Sequence, residues 1–321
     1  MRNSTQLENT DWQRTEEGWQ TEFACPVVYL GDLSWIACDC SEPTEFFLNG
    51  EYLCSRDRGA GHISLSEHLR PGRNCLETRG GSGHPDISLL VTPRSHFRVH
   101  EEDRPSLGCS CSWVPGSGIL KVQAQLADIL PGDTLRLILR DPEGEILDQV
   151  EVNADRLDPV DLVTTRNVLW EGTTQPDRLE LVAQLRRRGM VKDEIRLFTG
   201  LRTYSLDSRR NFLLNGHPYP LKGKVLEEPE SLEDILAQGY NAVWDRSGQP
   251  AARLLEEADR LGLVVFSTIG DHDRQLSAAQ GHVSLCFWVQ EEGGLPSRDV
   301  TRLSLEAAEL NLCGQEFTIG H

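Results

Sequence analysis

Through the first two-thirds of the chain, apolar and polar residues alternate in short runs, the two-residue period of a strand buried on one face. Residues 23–29 and 33–40 give the first such runs, separated by Gly31-Asp32. Glu45-Phe46-Phe47-Leu48 and Glu51-Tyr52-Leu53 flank Asn49-Gly50. Asn-Gly tolerates positive φ at both positions, so this stretch predicts a tight hairpin. A strand over 62–65, turns over 66–69 and 70–74, and a strand over 75–78 follow. The same texture returns with strands over 119–127, 134–140 and 146–152 and a hairpin of 179–186 with 191–198. Pro131-Gly132-Asp133 and the Asp141-Pro142-Glu143-Gly144-Glu145 stretch supply the turn residues between them. Many short strands at close spacing predict β-sandwiches.

The pattern changes across residues 198–225. Phe212-Leu213-Leu214 meets a second Asn-Gly, Asn215-Gly216, and leads into Leu221-Lys222-Gly223. Beyond it strands alternate with helices. Ser231 reads as the N-cap of a helix over 232–238 that Gly239 stops. A strand over 241–244 follows. Pro250 opens a second helix, with Leu254, Leu255, Ala258 and Leu261 at helical spacing and Gly262 at its end. The all-apolar run 263–266 reads as a buried parallel strand. Another strand is predicted over 283–289, and a helix over 299–311 capped by Asp299. This order is how a (β/α)8 barrel begins. Such a barrel takes about 250 residues, so the stretch beyond 204 accounts for strands one to four. A half-barrel exposes sheet edges, which predicts association with a second copy.

Composition narrows the function classes. A chain of 321 residues allows roughly two or three domains. Its 50 acidic residues outnumber its 32 basic ones, for a net charge of −18. Nucleic acid and anionic membranes need clustered positive charge, so neither is an expected partner. Arg186-Arg187-Arg188 sits before Gly189 and reads as a solvated hairpin. The N-terminal residues carry no apolar leader segment and no run reaches the length of a membrane span, which predicts a cytoplasmic protein. Nine cysteines, with no leader, are read as reduced thiols. Cys38-x-Cys40 and Cys109-x-Cys111 each place two thiols on one strand face. Four thiolates could meet around zinc, but C-x-C lacks the C-x2-C spacing, and the reading is strand thiols with no metal and no cofactor. Trp35, Trp113 and Trp170 are assigned to sandwich cores.

Three stretches carry a family resemblance. Gly200-Leu201-Arg202, then Phe212-Leu213-Leu214-Asn215-Gly216-His217-Pro218 and Leu221-Lys222-Gly223, resemble the junction in family 2 glycoside hydrolases, the β-galactosidase and β-glucuronidase group. There an immunoglobulin-like sandwich passes into the first barrel strand. FFLNGEYL followed by GHISLSEHLRPGRNCLET resembles the sugar-binding jelly roll of the family. Val168-Leu169-Trp170, with Pro176 and Leu179-Glu180-Leu181, resembles a segment of its immunoglobulin-like domain, without that segment's Tyr. LAQGYNAVW and LLEEADRLGLVVF resemble its early barrel strands and helix. The resemblance implies a multidomain β plus α/β chain: a jelly roll over 11–103, an immunoglobulin-like sandwich over 104–203 and an incomplete TIM-barrel-like domain over 204–321.

It also implies hydrolysis of β-O-glycosidic bonds. Retaining glycosidases use two carboxyl groups about 5 Å apart, one as acid/base and one as nucleophile. The family acid/base stands at the end of strand four, where this chain has Leu285-Cys286-Phe287-Trp288-Val289-Gln290 and then Glu291-Glu292. Glu291 or Glu292 is therefore the candidate remnant acid/base. The nucleophile, from strand seven, has no candidate. After strand two, Trp244 stands where the family has a substrate Arg; Pro250 is kept, and the His and Tyr are gone. Trp244, with Asp271 and His272 after strand three, are the candidate substrate contacts. These departures imply a catalytically degenerate relative, inactive as the chain stands; the alternative is a non-catalytic carbohydrate- or protein-binding scaffold.

Overall fold

The alternation of Leu33–Cys40 turns Ser34, Ile36, Cys38 and Cys40 to one side, and that side is buried. A computed structural model describes residues 3–6, 12–25, 32–57, 59–81, 83, 86–101, 105–155, 158–226, 231–247, 252–269, 281–290, 303–306, 311–313 and 315–319. Its first ten strands are β1 (Asn3–Gln6), β2 (Gln13–Arg14), β3 (Gly18–Cys25), β4 (Leu33–Cys40), β5 (Thr44–Leu48), β6 (Glu51–Arg56), β7 (Gly59–Ser64), β8 (Gly72–Arg79), β9 (Asp86–Thr92) and β10 (His96–Phe97). Nine of them make two sheets, ordered β1-β9-β4-β7 and β2-β3-β8-β5-β6. Phe23, Ile36, Phe46, Leu48, Ile63, Leu76 and Leu89 pack between the two sheets in one core. Each such side chain contributes about 1.5–3 kcal/mol by leaving water. The β5–β6 turn is Asn49-Gly50, with φ of 53° and 83°, as its sequence predicts.

A second pair of sheets follows: β11 (Leu107–Val114), β12 (Ser117–Ala124), β13 (Leu126–Ala127), β14 (Asp133–Arg140), β15 (Ile146–Asn153), β16 (Val160–Thr164), β17 (Leu179–Arg187) and β18 (Met190–Thr199). Their orders are β11-β12-β16 and β15-β14-β17-β18, while β10 pairs with β13. Leu120, Leu137, Leu162, Leu181, Ala183 and Leu185 form the core between them. The β17–β18 turn holds Arg188 and Gly189 at positive φ, the predicted exposed hairpin. Three short strands, β19 (Tyr204–Leu206), β20 (Phe212–Leu214) and β21 (His217–Pro218), make an antiparallel meander around Asn215-Gly216.

The last unit is a seven-stranded mixed sheet. It contains β22 (Leu221–Val225), β23 (Ala242–Asp245), β24 (Val264–Thr268), β25 (Leu285–Gln290), β26 (Leu303–Glu306), β27 (Asn311–Cys313) and β28 (Glu316–Ile319), with helices α1 (Leu232–Ala237) and α2 (Ala252–Leu261). The strand order is β26-β25-β24-β23-β22-β28-β27. β22 to β26 run parallel; β28 lies antiparallel on β22 and β27 antiparallel on β28. The Ser231 hydroxyl caps α1 by accepting from Asp234 N at 3.1 Å, and Gly239 follows the helix at φ 86°. Both helices pack on one face of the sheet, where Ile235, Leu255, Ala258, Val265 and Trp288 form a core. The opposite face carries a separate core of Phe212, Trp244, Phe266, Phe287 and Phe317.

Three expectations change. Where a helix over 299–311 was predicted, residues Leu303–Glu306 are strand β26, because they pair with β25 and extend the parallel ladder. The β22 edge expected to lie open is covered by β28. Trp170 belongs not to a sandwich core but to the core of the mixed sheet.

Candidate functional site

Parallel strands present all their carboxyl ends on one rim, and in sheets of this kind ligands bind there. The rim is formed by the ends of β22 to β25: Val225, Asp245, Thr268 and Gln290. Strand alternation sends Trp244 to the face away from the helices. It is buried, meets Phe317 edge-on at 6.4 Å, and donates from Nε1 to Thr268 Oγ1 at 3.0 Å. The Arg246 guanidinium lies 5.1 Å over its ring, on an exposed residue. Buried Asp245 accepts from Ser247 N and from Ser247 Oγ, each at 2.9 Å. That pair of bonds turns the chain sharply after β23 and holds Arg246 at the rim. Of the expected site residues, Trp244 lies beneath this rim with its indole nitrogen engaged. Glu291, Glu292, Asp271 and His272 lie outside the described residues.

Behind the rim, one joint ties the second sandwich to the mixed sheet. Arg202 is buried and donates from Nη2 to the carbonyls of His282 (3.4 Å) and Leu285 (3.3 Å) and from Nη1 to Cys111 Sγ (3.3 Å). Its guanidinium also lies 4.9 Å over the Tyr204 ring. Asp259 of α2, also buried, accepts from His282 Nδ1 at 2.8 Å and from Ser284 N at 2.7 Å. Trp170 Nε1 donates to the Asp259 carbonyl at 3.2 Å. Asn215 closes the joint: Oδ1 accepts from Thr203 N (2.9 Å), and Nδ2 donates to the Trp170 carbonyl (3.0 Å). Sequence reasoning quoted Arg202, Trp170 and Asn215 as motif residues without seeing that they meet. Asp259 stands in the LLEEADRLGLVVF stretch that carries the family resemblance, but its partners leave no trace there; His282 gave no signal beyond being a polar residue among apolar ones.

The two C-x-C pairs sit in separate cores, Cys38 and Cys40 in the first sandwich and Cys109 and Cys111 in the second. Cys38 and Cys40 share a hydrogen bond that pulls the Cys40 thiol down to about 7 and pushes Cys38 up. Burial pushes Cys109 up to about 12. Among the described residues no group of three or more His, Cys, Asp or Glu side chains is arranged to hold a metal, and Cys38, Cys40, Cys54, Cys75, Cys109 and Cys111 form no disulfide. No described helix is long and apolar enough to cross a membrane.

No family model matches the chain. It is 24% identical over 276 residues to a β-galactosidase of Bacteroides ovatus, covering 74% of this chain and 32% of that protein. It is 23% identical over 283 residues to a β-glucuronidase of Bacteroides fragilis, covering 71% of this chain and 40% of that protein. Among solved structures, an FMN-binding β-glucuronidase from Faecalibacterium prausnitzii aligns with a TM-score of 0.78 at 17% identity, over 95% of this chain and 64% of that one. The chain is thus similar to part of a β-galactosidase and of β-glucuronidases. It spans 32% and 40% of the length of the two curated relatives.

Proposed function

We propose that the chain serves carbohydrate metabolism as a family 2-type glycoside hydrolase unit that recognises β-O-linked sugars at the rim of β22 to β25. The observation that carries this reading is the order of parts: two sandwiches, then four parallel strands with α1 and α2 on one face, an order that aligns with a β-glucuronidase over 95% of the chain. On this reading residues 11–103 are a jelly roll, 104–203 an immunoglobulin-like sandwich and 204–321 the first half of a (β/α)8 barrel, in a cytoplasmic protein. Glu291 or Glu292, just past β25, is the candidate acid/base that protonates the leaving oxygen. A retaining reaction also needs a second carboxylate about 5 Å away, for which this sequence offers no candidate. Asp271 and His272, which follow β24 in the sequence, remain candidate sugar contacts, as does Trp244 under Arg246.

The second reading is a non-catalytic carbohydrate-binding scaffold. It is favoured by β28, which lies on the β22 edge where the last strand of a closed barrel would pair. One experiment separates the two. The full chain is incubated with aryl β-galactosides and β-glucuronides, and release of the aryl group is followed. Hydrolysis that falls at least 100-fold in Glu291→Gln or Glu292→Gln supports the enzyme. Saturable binding without hydrolysis supports the scaffold. Neither binding nor hydrolysis overturns both.

A further inference from the structure

An uncovered strand edge offers a row of unpaired N–H and C=O groups to any other strand. β22 has β23 on one side. On the other, Leu221, Lys222, Gly223 and Lys224 pair with Ile319, Thr318, Phe317 and Glu316 of β28. The ladder continues at the rim, where Val225 N donates to the Gln315 carbonyl at 2.7 Å. A short strand held only by its backbone would be a chance neighbour. This one is fitted on both faces. On the face away from the helices, the Phe317 ring lies over Gly223, and a Cβ at 223 would stand 2.1 Å from its Cζ. No side chain at 223 leaves room for that ring. Phe317 is fully buried, edge-on to Phe266 at 4.8 Å and to Trp244. On the helix face, the Tyr240 hydroxyl donates to the Glu316 carboxylate, and Lys222 Nζ lies 4.3 Å over the Tyr240 ring.

We propose that the β27–β28 hairpin is a latch. It occupies the edge of β22 on which a barrel would seat its closing strand, and it bars that edge to a second copy of this chain until it is displaced. What the edge is for rests on the barrel reading above; that the edge is latched does not. The latch also accounts for Gly223, whose missing side chain is the seat of Phe317. It links the hairpin to the rim through Trp244, which touches Phe317 on one side and bonds Thr268 at the rim on the other.

The test uses full-length variants. Gly223→Ala crowds the seat, Phe317→Asp empties it, and Gly223→Ala with Phe317→Ala relieves the crowding by removing the ring. Amide exchange over 221–225 and mass by light scattering are read together. The wild type is expected to be monomeric with slow exchange in β22. Gly223→Ala and Phe317→Asp are expected to speed that exchange at least 100-fold and to shift the mass to a dimer. The amides of β14 and β17 should stay protected, which separates unlatching from global unfolding. The double variant should recover more than half of the protection lost in Gly223→Ala. A wild-type dimer, fast exchange of β22 in the wild type, or a Phe317→Asp variant that stays monomeric with β22 protected overturns the latch. Loss of sugar binding in a variant whose β22 stays protected counts against the rim, not against the latch.

Discussion

Two asparagines do the same work at different places. Asn49 and Asn215 each take positive φ ahead of a glycine, and each spends its amide on a neighbouring strand or loop. Asn49 accepts from Cys75 N at 3.1 Å and donates to Asn74 Oδ1 at 2.9 Å; Asn215 bonds Thr203 and Trp170. The Asn-Gly pair was legible as a turn because φ > 0 restricts the residue choice. Its second role was not, because a side-chain partner 45 residues away leaves no local pattern. Asn215→Ala is expected to cost roughly 2–3 kcal/mol in urea unfolding, from the strained backbone and an orphaned Thr203 N–H. Asn215→Asp, which keeps the acceptor, should cost less. Asp133 makes a pH-dependent contribution. Arg187 donates to both its oxygens (2.6 and 2.8 Å) and Leu130 N adds a third bond, and these hold its carboxyl below the usual aspartate range. A depressed folded value stabilises above the unfolded value of about 3.9 and is lost as pH falls through the folded one. The stability gap between the wild type and Asp133→Asn should therefore be constant near neutral pH and close below about pH 4, read from denaturation midpoints.

At the scale of elements, the sandwich strands were legible because each buries one face, and a two-residue period survives in β4, β5, β14 and β17. α1 was legible from Ser231 and Gly239, which close it at both ends. The strands at the carboxyl end were not. Leu303–Glu306 is four residues long, and Glu316–Ile319 likewise, too short for periodicity to choose between strand and helix. Their pairing decides them: β26 extends the parallel ladder, and β28 meets an edge that would otherwise stay open. Gly223 was read as part of a family motif; its physical reason, room for an aromatic ring, appears only when β28 is in place.

At the scale of the whole molecule, the mixed sheet has a buried back and, on the proposed reading, a sugar-binding front. The back is the joint of buried Arg202, Asp259, His282 and Trp170, with half-buried Asn215, between the second sandwich and the mixed sheet. It fixes how the parallel strands are carried by the sandwiches. The front is the rim, where Arg246 is exposed over Trp244 and the strand ends converge. The change from sandwiches to mixed sheet could be read from the sequence because a two-residue period gives way to strands alternating with helices. The front could be read only in outline, because it is assembled from single residues at strand ends whose neighbours in space are far apart in the chain. Recognition of β-linked sugars at this rim is the central claim, shared by the hydrolase and the scaffold readings. It is tested most directly by calorimetric titration of the full chain with phenyl β-galactoside and phenyl β-glucuronide. The account predicts saturable one-site binding of at least one of them, weakened at least tenfold by Arg246→Ala with the fold unchanged. No binding of either at millimolar concentration, or binding that Arg246→Ala leaves untouched, would contradict it.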